Sequence, residues 1–359
     1  ERSLYSDLLL GLLKKILKKR TDLRLIVSSA TLEARQFQSF FADIPSITIE
    51  HSHSSSGGSG GSGNSNSGNS SGNSGSSNSS SGDSSGNNST SNIISSVFVL
   101  SIPGRQYPVD ILYADAPLKD YRAGSVETAL AIHEREPPSS GDILIFLTGQ
   151  EEIEQVCDDI RKGAEITKGV SRGNESLEVV PLYAGLPMEE QVKAFEEAPK
   201  GVRKVIVSTN VAETSVTIEG IVYVIDCGFV KQRFYNPKSN TDMLVVSEIS
   251  QAQAIQRAGR AGRVRAGKCF RLYTEQCYQK LKVQTVPEIQ RTNPVNVIVQ
   301  LKALGIDNIL KFDFLAPLST ASVSRALEFL YVVGAVDGDC KLSEPLGTQL
   351  AEFPVDTKL

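Results

Sequence analysis

The stretch QRAGRAGR, Gln256 to Arg263, places three arginines, two glycines and a glutamine within eight residues. In a helix over residues 252–264, successive residues turn by about 100°, which puts Gln256, Arg260 and Arg263 on one narrow stripe. Two guanidiniums and an amide that converge repel each other unless an anion with several oxygens lies among them. The stripe therefore predicts a site for a polyanion such as a nucleotide γ-phosphate. The alternative is a basic helix that faces water.

Two glycines flank this stripe, Gly259 and Gly262. Each costs roughly 1 kcal/mol inside a helix, so they favour a surface that another group approaches closely. A competing motif overlaps them, because GRVRAGKC, Gly262 to Cys269, matches the phosphate-loop pattern GxxxxGK with Cys in place of Ser or Thr. A phosphate loop follows a strand and precedes a helix, whereas here a helical pattern precedes and a strand, Cys269 to Tyr273, follows. We therefore do not interpret this stretch as a phosphate loop.

Apolar strands alternate with amphipathic helices around this segment, between Asp142 and Tyr273. This alternation predicts a parallel sheet covered by helices on both faces, with its chemistry in loops at the carboxyl ends of the strands. The predicted elements are strand Ile143 to Phe146, helix Glu151 to Lys162, strand Leu177 to Leu182, helix Pro187 to Glu197, strand Lys204 to Val207 and strand Val222 to Ile225.

Small hydroxyl residues and glycine follow three of the predicted strands. The three stretches are SAT at Ser29 to Thr31, FLTGQE at Phe146 to Glu151 and STNVAETS at Ser208 to Ser215. Turns of this kind offer backbone N–H groups and short donors that can hold successive phosphates of a nucleic-acid strand. Taken singly, a stretch of this kind is more often a helix cap than a phosphate contact.

Residues 52–92 consist almost entirely of Ser, Gly and Asn, a composition that predicts a disordered insertion. Before it we expect a helix ending near Arg20, a strand at Leu23 to Val27, a helix through Phe37 and Phe41, and an extended run at Ile47 to Ile49. After it, a strand is expected at Val97 to Ile102.

After Thr292 the alternation of strands and helices ends, and helices are predicted over Val295 to Leu304 and Ser322 to Val333. Asp337-Gly338 lies between apolar positions and indicates a hairpin, and another helix is expected over Leu346 to Phe353. Two helices and a small hairpin predict a winged-helix domain.

Composition excludes several classes of protein. The chain of 359 residues has a net charge of −4, so any nucleic-acid contact must come from local groups. Neither a signal peptide nor an apolar run of ~18 residues is found, which predicts no membrane association. The five cysteines form no CxxC pair and have no histidine at ligand spacing, so we predict reduced structural thiols and no metal site in this chain.

In this order, the motifs resemble those of the DEAH-box RNA helicases of superfamily 2. SAT is similar to motif III, FLTGQEE at Phe146 to Glu152 to motif IV, STNVAETSVTI at Ser208 to Ile218 to motif V, and QRAGRAGR to motif VI. RTNPVNVIVQLKALGI, Arg291 to Ile306, resembles the start of the family's winged helix. The resemblance covers nearly everything outside residues 52–92.

The resemblance implies roles for individual residues. Gln256, Arg260 and Arg263 would contact the γ-phosphate, with both arginines acting as arginine fingers in the transition state. Phe195 would pack on the adenine, although it also suits a helix core. Thr217 and Glu219 would contact the nucleotide, and Glu219 stands where the family has Asp. The residues that would contact RNA phosphates are Thr148, Gly149, Thr209 and Asn210. Those that would couple ATP hydrolysis to movement are Ser29, Ala30 and Thr31.

The resemblance also implies a hairpin beside the RNA, over Phe229 to Val246 with a turn at Asn236 to Asp242. The family's phosphate loop and DEAH sequence, which hold ATP and Mg²⁺, belong upstream of residue 1. We therefore expect a fragment that alone does not hydrolyse ATP. Its predicted divisions are part of a first RecA-like domain (1–107), a second RecA-like domain (108–290) and a winged helix (291–359).

The expected function is that of an ATP-dependent RNA helicase that remodels RNA or RNPs. YVIDCGFVKQRFYNP, Tyr223 to Pro237, and EPLGTQLAEFP, Glu344 to Pro354, look nearest to a spliceosome-associated group of the family. That likeness implies pre-mRNA splicing in the nucleus, with spliceosomal proteins or an activator as partners, and the cytoplasm as the alternative location. The rival functions are a non-catalytic RNA-binding scaffold and a DNA translocase.

Overall fold

Alternate residues of the strand Asp142–Phe146 pack into different hydrophobic clusters. Ile143 and Ile145 contribute to one cluster, whereas Leu144 and Phe146 contribute to the other, and all four side chains are fully buried. Because successive strand residues point to opposite faces, this strand must lie in a sheet that is covered on both sides.

The computed structural model describes residues 2–20, 22–29, 34–44, 97–100, 102, 107–168, 176–213 and 217–353. In chain order the strands are β1 (Val109–Tyr113), β2 (Asp142–Phe146), β3 (Ser176–Leu182), β4 (Val202–Ser208), β5 (Ile221–Asp226), β6 (Phe229–Asn236), β7 (Thr241–Glu248) and β8 (Gly267–Arg271). The helices are α1 (Leu4–Leu17), α2 (Ala34–Phe41), α3 (Tyr121–Arg135), α4 (Gln150–Lys168), α5 (Met188–Lys193), α6 (Gln251–Ala258), α7 (Glu275–Lys280), α8 (Glu288–Arg291), α9 (Val295–Ala303), α10 (Thr320–Val332) and α11 (Leu346–Glu352).

Six parallel strands form the central sheet in the order β1-β8-β5-β2-β4-β3. One face packs against α3 and α4, and the other against α6 and the segment that follows α5. The predicted fold class, a parallel sheet with helices on both faces, is confirmed. The strand after GRVRAGKC is confirmed as well, because β8 begins at Gly267 and no helix follows the motif directly.

A two-stranded antiparallel hairpin, β6–β7, rises from the end of β5. Its pairing runs from Phe229 opposite Glu248 to Asn236 opposite Thr241, with a turn between. A small cluster below it contains Val230 and Tyr273. The hairpin predicted over 229–246 is thus present and extends two residues further.

The carboxyl-terminal region has its own hydrophobic cluster, built on α9 and α10. Ile298 and Leu330 are fully buried in it, and a single antiparallel bridge joins Val336 to Leu342 across the turn at Asp337. Together with α11 these elements form the predicted winged helix. α1 packs on the same cluster through Leu8, although the sequence assigns it to the first domain.

Two predicted strands are wrong. Residues 23–27 and 97–100 have no regular secondary structure, and Ile26 and Leu100 are 92% and 82% exposed. An apolar run becomes a strand only when another strand accepts its hydrogen bonds, and no described strand pairs with either segment. The run predicted over Ile47 to Ile49 and the insertion at 52–92 lie outside the described residues.

No helix in the described ranges is long and apolar enough to cross a membrane. The same ranges contain no group of three or more His, Cys, Asp or Glu side chains that could hold a metal ion.

Candidate functional site

The turns after β2 and β4 lie side by side at the carboxyl edge of the sheet. The N–H of Leu147 donates to the carbonyl of Ser208 at 2.8 Å, which brings Thr148 next to Thr209. Parallel strands place their carboxyl ends at one edge, so the four residues predicted to hold RNA phosphates share one surface. These four are Thr148, Gly149, Thr209 and Asn210.

Both threonine hydroxyls make local capping contacts. Thr148 is buried, and its Oγ1 donates to Oε2 of Glu152 at 2.7 Å. Oγ1 of Thr209 accepts from the N–H of Val211 at 3.4 Å. The groups left for a phosphate here are the backbone, the O–H of Thr209 and the exposed side chain of Asn210.

Lys231, a basic residue that the sequence interpretation missed, borders this edge. A Cβ atom at Gly149 would lie 3.8 Å from Nζ of Lys231, which stands on β6 of the hairpin. The side chain of Lys231 is exposed. A cation beside a glycine turn strengthens the case for a phosphate contact, and the alternating pattern of the hairpin could have indicated it.

Helix α6 ends earlier than predicted. Ser250 and Gln253 form a capping box at its start, and the helix ends at Ala258, with turns from Gly259 to Arg263. The helical stripe through Arg260 and Arg263 is therefore wrong.

Beyond the end of α6, the backbone contacts another segment of the chain. The N–H of Tyr107 donates to the carbonyl of Gly262 at 2.9 Å, and a Cβ at Gly262 would lie 2.6 Å from the Tyr107 oxygen. The backbone at Gly262 thus pairs with another segment instead of continuing the helix.

Arg260 and Arg263 nevertheless lie close together. Nη2 of Arg260 donates to the carbonyl of Glu213, and the Arg260 side chain is half-buried. Burial and repulsion by Arg263 lower the pKa of Arg260 to about 10, and burial lowers the pKa of Arg263. Within the described part of the chain, neither Arg263 nor the side chain of Gln256 makes a hydrogen bond. Two guanidiniums that repel each other in a partly buried place form a site suited to an anion with several oxygens.

The residues predicted to contact nucleotide do not all lie at one edge of the sheet. Phe195, Thr217 and Arg260 are each next in the chain to a buried residue of one hydrophobic cluster, namely Ala194, Ile218 and Ala261. Glu219 lies at the amino edge, because the N–H of Asp142 donates to the carbonyl of Gly220 at 3.0 Å. Arg260 instead donates to the carbonyl of Glu213, three residues beyond Asn210 at the carboxyl edge. The structure therefore places Glu219 away from the carboxyl edge, where the sequence predicts the chemistry, and connects Arg260 to it.

Phe195 stands in the turn after α5 and is 37% exposed. Its ring is therefore not a core side chain, the alternative that the sequence left open. The buried ammonium of Lys204 donates to the carbonyls of Lys193 at 2.8 Å and Glu196 at 2.5 Å, on either side of Phe195. These two bonds fix the turn that presents the ring.

Arg257 lies at the centre of a buried ionic network. Its Nη1 donates to Oδ1 of Asp226 at 2.7 Å, and its Nε donates to Oε2 of Glu213 at 3.1 Å. Both terminal nitrogens donate to the carbonyl of Phe229 at 3.2 Å, and the Tyr273 hydroxyl donates to Oδ2 of Asp226 at 3.0 Å. The guanidinium thus joins α6, the β4–β5 connection, the end of β5 and the first residue of the hairpin.

In this network the carboxylates of Asp226 and Glu213 both pair with the guanidinium of Arg257. Burial alone would lower the pKa of Arg257, but attraction to Asp226 and Glu213 raises it, so the guanidinium stays charged. Burial raises the pKa of Glu213, and Arg257 opposes that change. In a continuous helix Arg257 would lie about 100° from the stripe of Gln256, Arg260 and Arg263, so the periodicity does not group it with them. Asp226, a charge at the end of an apolar strand, was the available signal that a buried partner exists.

Of the predicted coupling residues, Ser29 is exposed. Ala30 and Thr31 lie outside the described residues.

Two family models match the chain. Helicase conserved C-terminal domain matches residues 126–265, and Helicase associated domain (HA2), winged-helix, matches residues 326–355. The first match contains the parallel sheet except β1 and β8, and the second contains α11 and the bridge beside it.

Similar proteins are found across the whole chain. A protein named probable ATP-dependent RNA helicase DHX35 from Homo sapiens is 48% identical over 358 residues, which is 99% of this chain and 44% of that protein. The DHX35 homolog of Caenorhabditis elegans is 42% identical over 355 residues, covering 99% of this chain and 42% of that protein. The chain thus spans less than half the length of these relatives.

Solved structures agree with these matches. A crystal structure of the Escherichia coli DEAH/RHA helicase HrpB superposes with a TM-score of 0.71 and 27% identity, over 98% of this chain and 37% of that one. A structure of the E. coli DExH-box NTPase HrpB gives a TM-score of 0.60 and 29% identity over 69% of this chain and 29% of that one.

Proposed function

Because the chain belongs to the DEAH-box family of RNA helicases, we propose that it supplies the second RecA-like half and winged helix of an ATP-driven RNA motor. The observation that carries the proposal is the proximity of Arg260 and Arg263, two guanidiniums that repel each other in a partly buried place. Such a pair suits the γ-phosphate of ATP, and the turns at Thr148 and Thr209 offer a second place for the phosphates of RNA.

On the nucleotide side, Arg260 and Arg263 donate to oxygens of the γ-phosphate, and Gln256 adds an amide hydrogen bond. Their charge stabilises the negative charge that develops on the transferred phosphoryl group. Phe195 packs on the adenine, and Thr217 and Glu219 contact the nucleotide. The lowered pKa of Arg260 supports this role, because an incoming phosphate would relieve the repulsion that lowers it.

On the RNA side, the turns at Thr148–Gly149 and Thr209–Asn210 hold consecutive phosphates of a single strand. Backbone groups and Lys231 read the phosphates and not the bases, so binding depends weakly on sequence. Closure of two RecA-like domains on ATP and their release after hydrolysis would move these contacts along the RNA by a step.

Mg²⁺ accompanies ATP in this proposal and would supply charge neutralisation on the phosphates. The described residues contain no acidic cluster fit to hold it, so no step is assigned to the metal here. What the residues of this chain supply is the pair of guanidiniums.

ATP hydrolysis by the full-length protein tests the proposal. Turnover is measured without nucleic acid, with single-stranded oligouridylate, and with oligodeoxythymidylate of equal length. Strong stimulation by RNA and weak stimulation by DNA supports an RNA motor. Equal or stronger stimulation by DNA supports a DNA translocase. RNA binding without hydrolysis supports a non-catalytic scaffold.

We further propose that the protein acts in pre-mRNA splicing in the nucleus, with spliceosomal proteins or an activator as partners and an RNP as the structure that it remodels. The segments Tyr223 to Pro237 and Glu344 to Pro354 support this context through their resemblance to a spliceosome-associated group. Depleting the protein from a nuclear extract of its own cells should reduce splicing of a reporter pre-mRNA, and adding it back should restore it. Undiminished splicing after depletion would contradict the proposal.

A further inference from the structure

Arg257 carries a positive charge that no solvent reaches, and its contacts lie on four separate elements. It belongs to α6, and it donates to Asp226 at the end of β5, to Glu213 after β4 and to the carbonyl of Phe229 at the start of β6. Its Cζ also lies 4.9 Å from the ring centroid of Phe146, the last residue of β2. Every one of these contacts is made near the carboxyl edge of the sheet.

This network lies between the two sets of functional residues. Phe146 and Glu213 are two and three residues from the phosphate-holding positions Thr148 and Asn210. In the other direction, Arg257 precedes Arg260 by about one helical turn.

Glu213 binds both arginines at once. Its carboxylate accepts from Nε of Arg257, and its backbone carbonyl accepts from Nη2 of Arg260. A shift of the segment Thr209–Glu213 would therefore move the Glu213 carbonyl, the hydrogen-bond partner of Arg260. The contact between Arg257 and the Glu213 carboxylate restrains that shift.

The hairpin is joined to the same guanidinium. The Phe229 carbonyl accepts from both terminal nitrogens of Arg257, and Lys231, two residues further along β6, borders the glycine turn at Gly149. A group with fixed planar geometry is suited to this junction, because its five N–H donors can hold three acceptors in set directions.

We propose that Arg257 is a positioning residue that transmits RNA contact at the hairpin and the Thr209–Glu213 segment to Arg260. RNA bound along the carboxyl edge fixes the positions of these two segments. Because the guanidinium of Arg257 is bonded to both, it then holds Glu213 where its carbonyl places the Arg260 side chain for hydrolysis. This inference rests on the proposed function and adds to it the route by which RNA stimulates turnover.

The measurement is the stimulation ratio of the full-length protein, turnover with saturating oligouridylate divided by turnover without it. Partial misfolding lowers both rates by the same factor, so the ratio does not depend on the fraction of protein that is folded. Arg257→Lys keeps the charge but cannot span both carboxylates and the Phe229 carbonyl. Glu213→Gln leaves the backbone contact to Arg260 intact while it weakens the contact to Arg257.

Arg203→Lys is the matched control. Arg203 is as fully buried as Arg257 and also belongs to the sheet domain, but it donates to carbonyls at the amino edge. These acceptors belong to Gly141, Ile132 and Pro137. This substitution removes an equally buried guanidinium without touching either the hairpin or Glu213.

We expect the stimulation ratio to fall by about tenfold or more in Arg257→Lys and Glu213→Gln, and to stay within about twofold of the parent in Arg203→Lys. Ratios equal to the parent in both test variants, with lowered melting temperatures, would show a purely structural network and overturn the inference. An equal fall in Arg203→Lys would overturn it too. A parent protein that RNA does not stimulate would instead refute the proposed function on which the inference rests.

Discussion

The Nη1 atom of Arg257 lies 2.7 Å from Oδ1 of Asp226, and neither side chain reaches solvent. The pair fastens α6 to the end of β5 at the place where the hairpin begins. Burial of both charges carries a desolvation free energy, and their attraction offsets it only while every hydrogen-bond partner is in place. Substitution of one partner should therefore lower the free energy of unfolding far more than loss of an ion pair on the surface.

Asp226→Asn should lower the free energy of unfolding by about 2–3 kcal/mol, because a neutral amide replaces the carboxylate that accepts buried hydrogen bonds from Nη1 of Arg257 and from the Tyr273 hydroxyl. Urea denaturation measures the change. Asp158→Asn is the control, since Asp158 pairs with Arg161 at 2.8 Å but is 61% exposed, and its loss should cost less than about 0.5 kcal/mol. Equal losses in the two variants would contradict the buried network.

Gly262→Ala and Gly259→Ala should change stability in opposite directions. A Cβ at Gly262 would lie 2.6 Å from the Tyr107 carbonyl, so we expect a loss of about 1–3 kcal/mol. Gly259 has helical angles, φ −61° and ψ −11°, and a Cβ there would be 3.4 Å from its nearest neighbours, so alanine should stabilise by up to about 1 kcal/mol. Thermal unfolding of both variants measures this, and a destabilised Gly259→Ala would contradict the observed helix end.

Lys204→Met should weaken ATP binding through Phe195. The variant removes the two bonds to the carbonyls of Lys193 and Glu196 and frees the turn, so we expect KM for ATP to rise by about three- to tenfold with kcat nearly unchanged. Steady-state kinetics of the full-length protein measures this. Lys200→Met, at an exposed lysine in the same connection, is the control and should leave KM unchanged. A fall in kcat with unchanged KM would contradict the positioning of the ring.

Three buried cysteines should resist alkylation and limit stability at high pH. Burial raises the pKa of Cys157, Cys227 and Cys269 to about 12 each, so their thiolates are scarce at pH 8, whereas Cys277 is exposed. Iodoacetamide followed by mass spectrometry should modify Cys277 first. Modification of the three buried thiols at an equal rate would contradict the packing.

The sign of the pH effect follows from the raised pKa. An unfolded thiol ionises near pH 9 and the buried one near pH 12, so the stabilising contribution is complete below pH 9 and is lost as pH rises toward 12. The expected loss is about 1.4 kcal/mol per pH unit for each thiol. Urea denaturation at pH 8, 9 and 10 measures it, and constant stability over this range would contradict the prediction.

The strands of the central sheet could be predicted because their signal is local. Ile143 to Phe146 is a continuous apolar run, as a strand buried on both faces requires, and the observed β2 differs by one residue. The run at 23–27 has the same apolar pattern but forms no strand, because the pattern does not specify whether another strand pairs with it.

The site was less predictable because its geometry depends on contacts between distant residues. Helical periodicity through Arg263 could not reveal that α6 ends at Ala258 and that Tyr107 then pairs with Gly262. The same angular argument placed Arg257 off the stripe but could not show it buried between Glu213 and Asp226, which lie 44 and 31 residues away. Arg260 and Arg263 lie close together although they do not share a helical stripe.

Hydrolysis of ATP by full-length variants shows whether Arg260 and Arg263 act as arginine fingers. Arg260→Ala and Arg263→Ala should each lower RNA-stimulated turnover by about 10³-fold, the scale of an arginine finger, and change RNA affinity by less than about threefold. Arg260→Ala also removes the hydrogen bond to the Glu213 carbonyl, so thermal unfolding of both variants is measured beside turnover.

Arg265→Ala is the control for this measurement, since Arg265 is exposed and donates to the Ser139 carbonyl at 3.0 Å on the surface. Its turnover should equal that of the parent protein. Both test variants should lose nearly all hydrolysis and keep RNA binding. Turnover equal to the parent in Arg260→Ala and Arg263→Ala would contradict it.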